Sequence, residues 1–485
     1  MGLWVVLYSF LSAGAVSLAL TPRIRDFALK RNIIDNSQSS RKIHKTRIPR
    51  LGGLAIFTGT LAGLGVALAT GLADLQSPLL TWPKVVGLLV GGMMIAGLGL
   101  VDDLRGVRPR TKLCIQLIVS VFVVAIGFRI DKIAIPFSDP IPLGYLGLPL
   151  TVFWIVGIIN ALNLIDGLDG LAGGVALIGA ITNLVLVGLR GDVLSMALMA
   201  TLAGAIMGFL FYNFHPASIF MGDTGSMFLG YSLATTSLIA STKSATTVAF
   251  FVPIVMLGLP ILDTLFAMLR RSIRGRPMFS ADKEHIHHIL LNHGLSHRSA
   301  VLTLYAVASI LSAAAIFLSL SDSRGALVTL GLLAALGILA ARAVGFGRIG
   351  LTEKSTAEIR AKNRIMYSAV AAIKRELRHA ASSDHLNSIL DELCEALGAT
   401  AATLSLSGRV VSKAKRAIST STEPPLQTRH RIHTSAGEAQ LLIEWPRVNE
   451  SFDRDKEIAI ERLEPSIAQA LGRIIDAAQP RRAAG

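Results

Sequence analysis

Asn160-Ala-Leu-Asn-Leu-Ile-Asp-Gly-Leu-Asp-Gly-Leu-Ala-Gly-Gly174 places Asn160, Asn163, Asp166 and Asp169 at every third position. On a helical backbone this spacing lines the four polar side chains along one stripe. The interleaved glycines leave that stripe open to close approach by a ligand or a second helix. Long apolar runs flank the stretch on both sides. Amides and carboxylates are costly at membrane depth, so such a stripe marks a site more often than a scaffold.

The composition supports the membrane setting. The 485 residues are 52% hydrophobic and only 16% charged, against about 25% charged in globular proteins. Apolar runs long enough to cross a bilayer occur near 3–20, 51–72, 84–101, 112–129, 145–161, 174–190, 194–212, 225–241, 246–269, 299–319 and 325–345. The expectation is an all-α polytopic membrane domain over residues 1–345, with about eleven transmembrane helices. The first 345 residues contain 26 Lys and Arg against 15 Asp and Glu, hence +11 of the net +15. That excess suits anionic lipid or phosphate better than nucleic acid. Two cysteines, Cys114 and Cys394, make neither a disulfide framework nor a cysteine-rich metal site.

Basic residues set the expected orientation. They crowd the segments 21–50, 102–112 and 270–298, while the segments of opposite parity carry single charges such as Lys84 and Arg190. The N-terminus is therefore expected outside, and all the polar clusters on the cytoplasmic side. Residues 346–485 return to a soluble charge density and read as a small cytoplasmic α+β tail, faintly similar to GAF-type sensory modules. Helical spacing covers about 353–398 and 453–477, with alternating strand patterns at 401–407 and 439–445 and a turn at Pro424–Pro425. The tail is read as a regulatory or docking module, with inert packing as the alternative.

Four further clusters accompany the stripe. Asp102 and Asp103 sit at the end of the third apolar run, where acids oppose the helix dipole. Such a pair binds a cation or serves as a base, since adjacent carboxylates raise one another's pKa. The plain alternative is surface charge at a helix end. Phe220-Met-Gly-Asp-Thr-Gly-Ser226 opens the eighth run, where Asp223 is either an N-cap or part of a phosphate-binding helix start; Asn213 adds an amide just upstream. Lys283-Glu-His-Ile-His-His288 offers His285, His287 and His288 as phosphate donors, with zinc binding or a solvated loop as alternatives. Arg41 to Gly53, including Lys45, is basic enough for phosphate contact, or is simply a membrane flank. Asp263 is a lone intramembrane acid near the cytoplasmic end, read either as a structural pair with Arg270 or as a participant in function. Acids and amides in this number suit a hard, oxygen-seeking ion such as Mg2+, and phosphoryl transfer needs mainly positioning and charge neutralisation.

Pro49-Arg-Leu-Gly-Gly53, Val101-Asp-Asp103, Asn160 to Leu171, Gly222-Asp-Thr-Gly-Ser226 and His285-Ile-His-His288 together resemble the polyprenyl-phosphate N-acetylhexosamine-1-phosphate transferases (glycosyltransferase family 4). Within them the match is to the WecA/TagO-like relatives of MraY. The resemblance implies transfer of an N-acetylhexosamine-1-phosphate from a UDP-sugar to undecaprenyl phosphate, with UMP released and Mg2+ required (Mn2+ as the alternative ion). It implies Asp223 and Asn163 as metal ligands, and Asp102 as the base with Asp103 supporting it. Asp169 and Phe220 would hold the uracil, and Lys45, His287 and His288 the phosphates; His285, Asn213 and Asp166 complete the expected set. It further implies a bacterial inner (plasma) membrane location, allows a homodimer, and leaves the tail as a docking place for downstream glycosyltransferases. His-Ile-His-His followed by Leu290 and Leu291 disfavours the muramoyl-pentapeptide branch. The sugar stays open. A transporter is the alternative from another class, but the polar residues gather on one side, not at the midplane.

Overall fold

The computed structural model describes residues 2–34, 48–70, 77, 79–133, 137, 139–241, 250–273, 275, 285–343, 353–380, 382–415, 425–434, 437–446 and 454–478. The chain divides into two compact units, one of residues 1–267 with 283–344 and one of residues 268–282 with 345–485.

The first unit is helical. Its elements run α1 (Gly2–Lys30), α2 (Gly53–Ala69), α3 (Trp82–Arg105), α4 (Pro109–Ala125), α5 (Gly147–Ile165), α6 (Leu171–Gly188), α7 (Val193–Asn213), α8 (Gly222–Ser241), α9 (Phe251–Met256), α10 (Gly258–Ile273, of which the residues from Met268 on fall in the second unit), α11 (Ile286–Asn292), α12 (His297–Leu320) and α13 (Ser323–Ala343). A small antiparallel pair, β1 (Lys132–Ile133) and β2 (Ile141–Pro142), lies between α4 and α5. Among the described residues, six helices are long and apolar enough to cross a membrane, namely α1, α3, the Gly144–Ile165 segment containing α5, α6, α7 and α12. Two shorter apolar helices lie at Gly53–Ala69 and Ser323–Leu339. The ninth apolar run does not form one helix. It breaks at Leu257 into α9 and α10.

Helix α8 is the centre of this unit, because every residue from Thr224 to Ala240 is buried. Lipid offers little hydrophobic drive between helices, so close packing and interhelical hydrogen bonds hold such a bundle. Tyr231 donates to the Gly87 carbonyl at 3.0 Å, the Trp154 indole to the Ala234 carbonyl at 3.1 Å, and the Asn183 amide to Thr236 Oγ1 at 3.0 Å. These bonds tie α8 to α3, α5 and α6. They place its first turn where α3 and α5 end.

The second unit carries α14 (Glu353–Glu376), α15 (Ser383–Leu397), α16 (Arg454–Glu461), α17 (Glu464–Ala478) and four strands. These are β3 (Ala401–Leu406), β4 (Arg409–Lys415), β5 (Leu426–Thr434) and β6 (Gly437–Trp445), joined as an antiparallel sheet in the order β4-β3-β6-β5. Alternation puts Leu404, Leu441, Ile443 and Trp445 into one core with Leu386, Ile389 and Leu471 of the helices. The expected α+β character is present, with two strands more than the alternation at 401–407 and 439–445 identified. Pro424 lies outside the described residues.

Candidate active site

The Asn160–Gly174 stretch is not one continuous helix. Helix α5 ends at Ile165, Asp166 caps it with φ −74° and ψ 54°, and α6 starts only at Leu171. Asn160 and Asn163 therefore stay on a helix, while Asp166 and Asp169 lie in a turn. Gly170, the residue before α6, adopts φ 77°, which keeps the two helices from running on as one. The turn re-aims the last two acids.

Asp103 is a cap reaching across from a neighbouring helix. Its Oδ1 accepts the Asp223 N–H at 2.9 Å, and its Oδ2 accepts the Thr224 N–H at 2.9 Å and the Thr224 hydroxyl at 2.6 Å. It thus satisfies first-turn donors of α8 that have no partner within the helix. Gly222 makes this approach feasible. It sits at φ 69°, and a Cβ there would lie 2.6 Å from Asp103 Oδ2. Asp223, freed from capping its own helix, pairs instead with Lys112 Nζ at 2.6 Å, and Lys112 also pairs with Asp102. Asp102 further accepts the Val107 N–H, at 2.5 Å.

Asn163 Oδ1 accepts the Ser226 hydroxyl at 2.9 Å, one turn further along α8. Asn160 is directed away from this group, to Gln116 Oε1 at 2.7 Å. Burial raises Asp166 to about 8, helped by the charges of Asp223, Asp103 and Asp169. Asp102 and Asp223 share Lys112 and Asp103 feels the charge of Arg50, and the donors of the site are carboxylate and amide oxygens. That donor set fits a hard divalent cation.

A second set frames the turn. Asp169 Oδ2 bonds His215 Nδ1 at 2.8 Å and accepts the Ala217 N–H at 3.1 Å. Asn213 Oδ1 accepts the Gly170 N–H at 3.2 Å while its amide donates to the Ile219 carbonyl at 2.9 Å, so Asn213 braces the backbone. Tyr305 of α12 donates to the Gly170 carbonyl at 2.5 Å. Phe220 is half-buried, and its backbone pairs with the Pro49 carbonyl and the Gly52 N–H. Lys45 lies outside the described residues.

The histidines divide by role. His285 is buried and its Nδ1 meets Asp263 Oδ2 at 2.9 Å, while Asp263 Oδ1 accepts the Ile286 N–H at 2.7 Å. Asp263 thus anchors the start of α11. His287 is 2% exposed. A Cβ on Gly167 would come within 2.4 Å of its Nε2, which puts His287 against the turn carrying Asp166. Burial, reinforced by His288, His285 and His297 and opposed by Asp263, lowers His287 to about 3. It is a neutral hydrogen-bonding group at pH 7, not a cation. His288 packs beside it, ring centroids 4.3 Å apart.

Lys112, Ser226 and Asp263 emerge as members of the site that motif reading undervalued. A signal for Lys112 existed. Only Gly106–Arg108 separate α3 from α4, so the first turn of α4 must stand beside the last turn of α3.

Apolar helices of membrane length packed round one central helix, with acids and a lysine gathered at its first turn and a histidine against the neighbouring turn, define a multi-pass membrane protein with an enzyme-like polar site. Comparison with known proteins narrows that class. The family description "Glycosyl transferase family 4" matches residues 85–241. Over 314 residues the chain is 43% identical to a Bacillus subtilis (strain 168) protein described as "Probable undecaprenyl-phosphate N-acetylglucosaminyl 1-phosphate transferase", covering 64% of this chain and 85% of the relative. It is 35% identical to the decaprenyl-phosphate N-acetylglucosaminephosphotransferase of Mycobacterium tuberculosis (strain ATCC 25618 / H37Rv), over 68% of this chain and 86% of that one. A phospho-N-acetylmuramoyl-pentapeptide-transferase of Shouchella clausii (strain KSM-K16) is 30% identical over 65% of this chain and 97% of its own length. The chain belongs to glycosyl transferase family 4.

Proposed function

We propose that this protein transfers N-acetylglucosamine-1-phosphate from UDP-N-acetylglucosamine to undecaprenyl phosphate or a related polyprenyl phosphate, in a bacterial plasma membrane with the site facing the cytoplasm. The observation that carries the reading is the meeting of Asp102, Asp103, Asp166, Asp223 and Lys112 at the start of α8. The names of relatives in two genera support the donor sugar, and the basic segment 102–112 supports the orientation.

In the reaction, an oxygen of the lipid phosphate forms a new bond to the β-phosphorus of the nucleotide sugar. The bond from that phosphorus to the bridging oxygen breaks, and UMP leaves with it. Asp102 takes any proton carried by the lipid phosphate. Lys112, held between Asp102 and Asp223, neutralises phosphate charge as it is brought in. Neutral His287, with His288 beside it, donates a hydrogen bond to a phosphate oxygen. Asp223 and Asn163 would hold Mg2+, or Mn2+ in its place, which supplies charge neutralisation at the pyrophosphate.

Asp103 acts through α8, by fixing the backbone from which Asp223 projects. Asp169 would meet the uracil. The muramoyl-pentapeptide relative marks the second reading. A panel of UDP-sugars with undecaprenyl phosphate and Mg2+, read by UMP release, decides between the two. UDP-N-acetylglucosamine should be the best donor, and EDTA or Asp223→Ala should stop release. Full release in EDTA, or preference for the muramoyl-pentapeptide nucleotide, refutes the reading.

A further inference from the structure

Asp169, His215 and His297 come from three separate segments: the turn before α6, the segment between α7 and α8, and the first residue of α12. Each offers one metal-ligating atom, and the three atoms all lie within 4.8 Å of one another. The carboxylate is largely buried and set in place by its bonds to His215 Nδ1 and the Ala217 N–H. The two imidazoles stack with centroids 4.3 Å apart and planes 19° from parallel. His215 is exposed, so an ion can enter from solvent.

We propose that these three residues form a binding site for a borderline transition-metal ion, with Zn2+ the best fit, separate from the carboxylate and amide group at the start of α8. The donor set decides the ion. Two imidazoles and one carboxylate suit Zn2+, whereas Mg2+ prefers oxygen ligands and an octahedral shell rich in water. Ligand distances of about 2.0–2.2 Å put tetrahedral ligand atoms roughly 3.4 Å apart. That spacing falls between the 2.8 Å from Asp169 Oδ2 to His215 Nδ1 and the 4.8 Å within which all three ligand atoms lie. Solvent supplies the fourth position.

Bound zinc cross-links the three segments and holds Asp169 in one orientation. It thereby competes with the uracil that the proposed function places on this same carboxylate. The inference rests on side-chain geometry and does not depend on the transferase reading.

The test is titration of the purified full-length protein, stripped of metal, with Zn2+ against a chromophoric chelator, and with Co2+ read by its visible absorption. The wild type should bind one equivalent of Zn2+ and give the strong visible band of four-coordinate Co2+. His215→Ala with His297→Ala should weaken Zn2+ binding at least 100-fold, and His297→Asn alone at least tenfold. His288→Asn should leave the affinity within twofold, which separates this site from the histidines of α11. Absence of the cobalt band in the wild type overturns the proposal without recourse to any variant. Zinc affinity unchanged in the double variant, or lost on His288→Asn instead, also overturns it.

Discussion

Replacing Asp103 with Asn tests whether this acid works by building α8 or by chemistry of its own. Its two oxygens accept two backbone N–H groups at 2.9 Å and one hydroxyl at 2.6 Å. Hydrogen bonds to a charged acceptor contribute about 1.5–3 kcal/mol each. Asparagine keeps one oxygen and turns its amide group toward a donor, so one or two of these bonds are lost. The cost comes to about 2–4 kcal/mol. At roughly 1 °C per kcal/mol for a chain of this size, Asp103→Asn should lower the melting temperature in detergent by about 2–4 °C. The partner variant Thr224→Val removes the hydroxyl bond alone. In the Asp103→Asn background its further effect should shrink, because contacting residues couple by 0.5 kcal/mol or more. UMP release should fall with Asp103→Asn as Asp223 loses its placement. An unchanged melting temperature, or strictly additive effects of the two variants, refutes the capping role.

Three further outcomes follow from the same geometry. Lys112→Met removes the cation shared by Asp102 and Asp223 and should cut UMP release about 100-fold, by analogy with loss of one preorganised charge-stabilising donor; a wild-type rate would show that Lys112 is only a structural counter-charge. Gly167→Ala puts a methyl 2.4 Å from His287 Nε2, so the imidazole must shift and release should drop at least tenfold with little change in melting temperature; an unaffected rate would detach His287 from the reaction. His287 stays neutral down to about pH 3 in the folded chain, against 6.5 when unperturbed. The unfolded chain binds a proton below 6.5 and the folded chain does not, so stability is full above pH 6.5 and is lost as pH falls toward 3. The limit is about 1.4 kcal/mol per pH unit, or up to about 2 kcal/mol at pH 5. His287→Asn should abolish that part of the slope, and an identical loss from pH 7 to pH 5 in variant and wild type would refute it.

Much of this protein is legible from its chain. Period and length of the apolar runs mark helices, because a helix satisfies its own backbone wherever it lies. The acid, amide and histidine motifs are legible because charge amid apolar sequence has few structural uses. Tertiary structure alone decided how those residues divide their work. Asp102 and Asp103 are neighbours in sequence, yet one meets Lys112 and the other caps a helix 120 residues on. The four polar residues of Asn160–Gly174 looked like one stripe, yet Asn163 stays on α5 and meets Ser226 while a break at Asp166 sends Asp169 to His215. The pairing of Asp263 with His285, and the meeting of His215 with His297, join segments that no local pattern connects. Sequence determines which groups a segment offers and how its own backbone is bonded. Which offered group meets which depends on where helices end and cross, and that is settled only when the whole bundle packs.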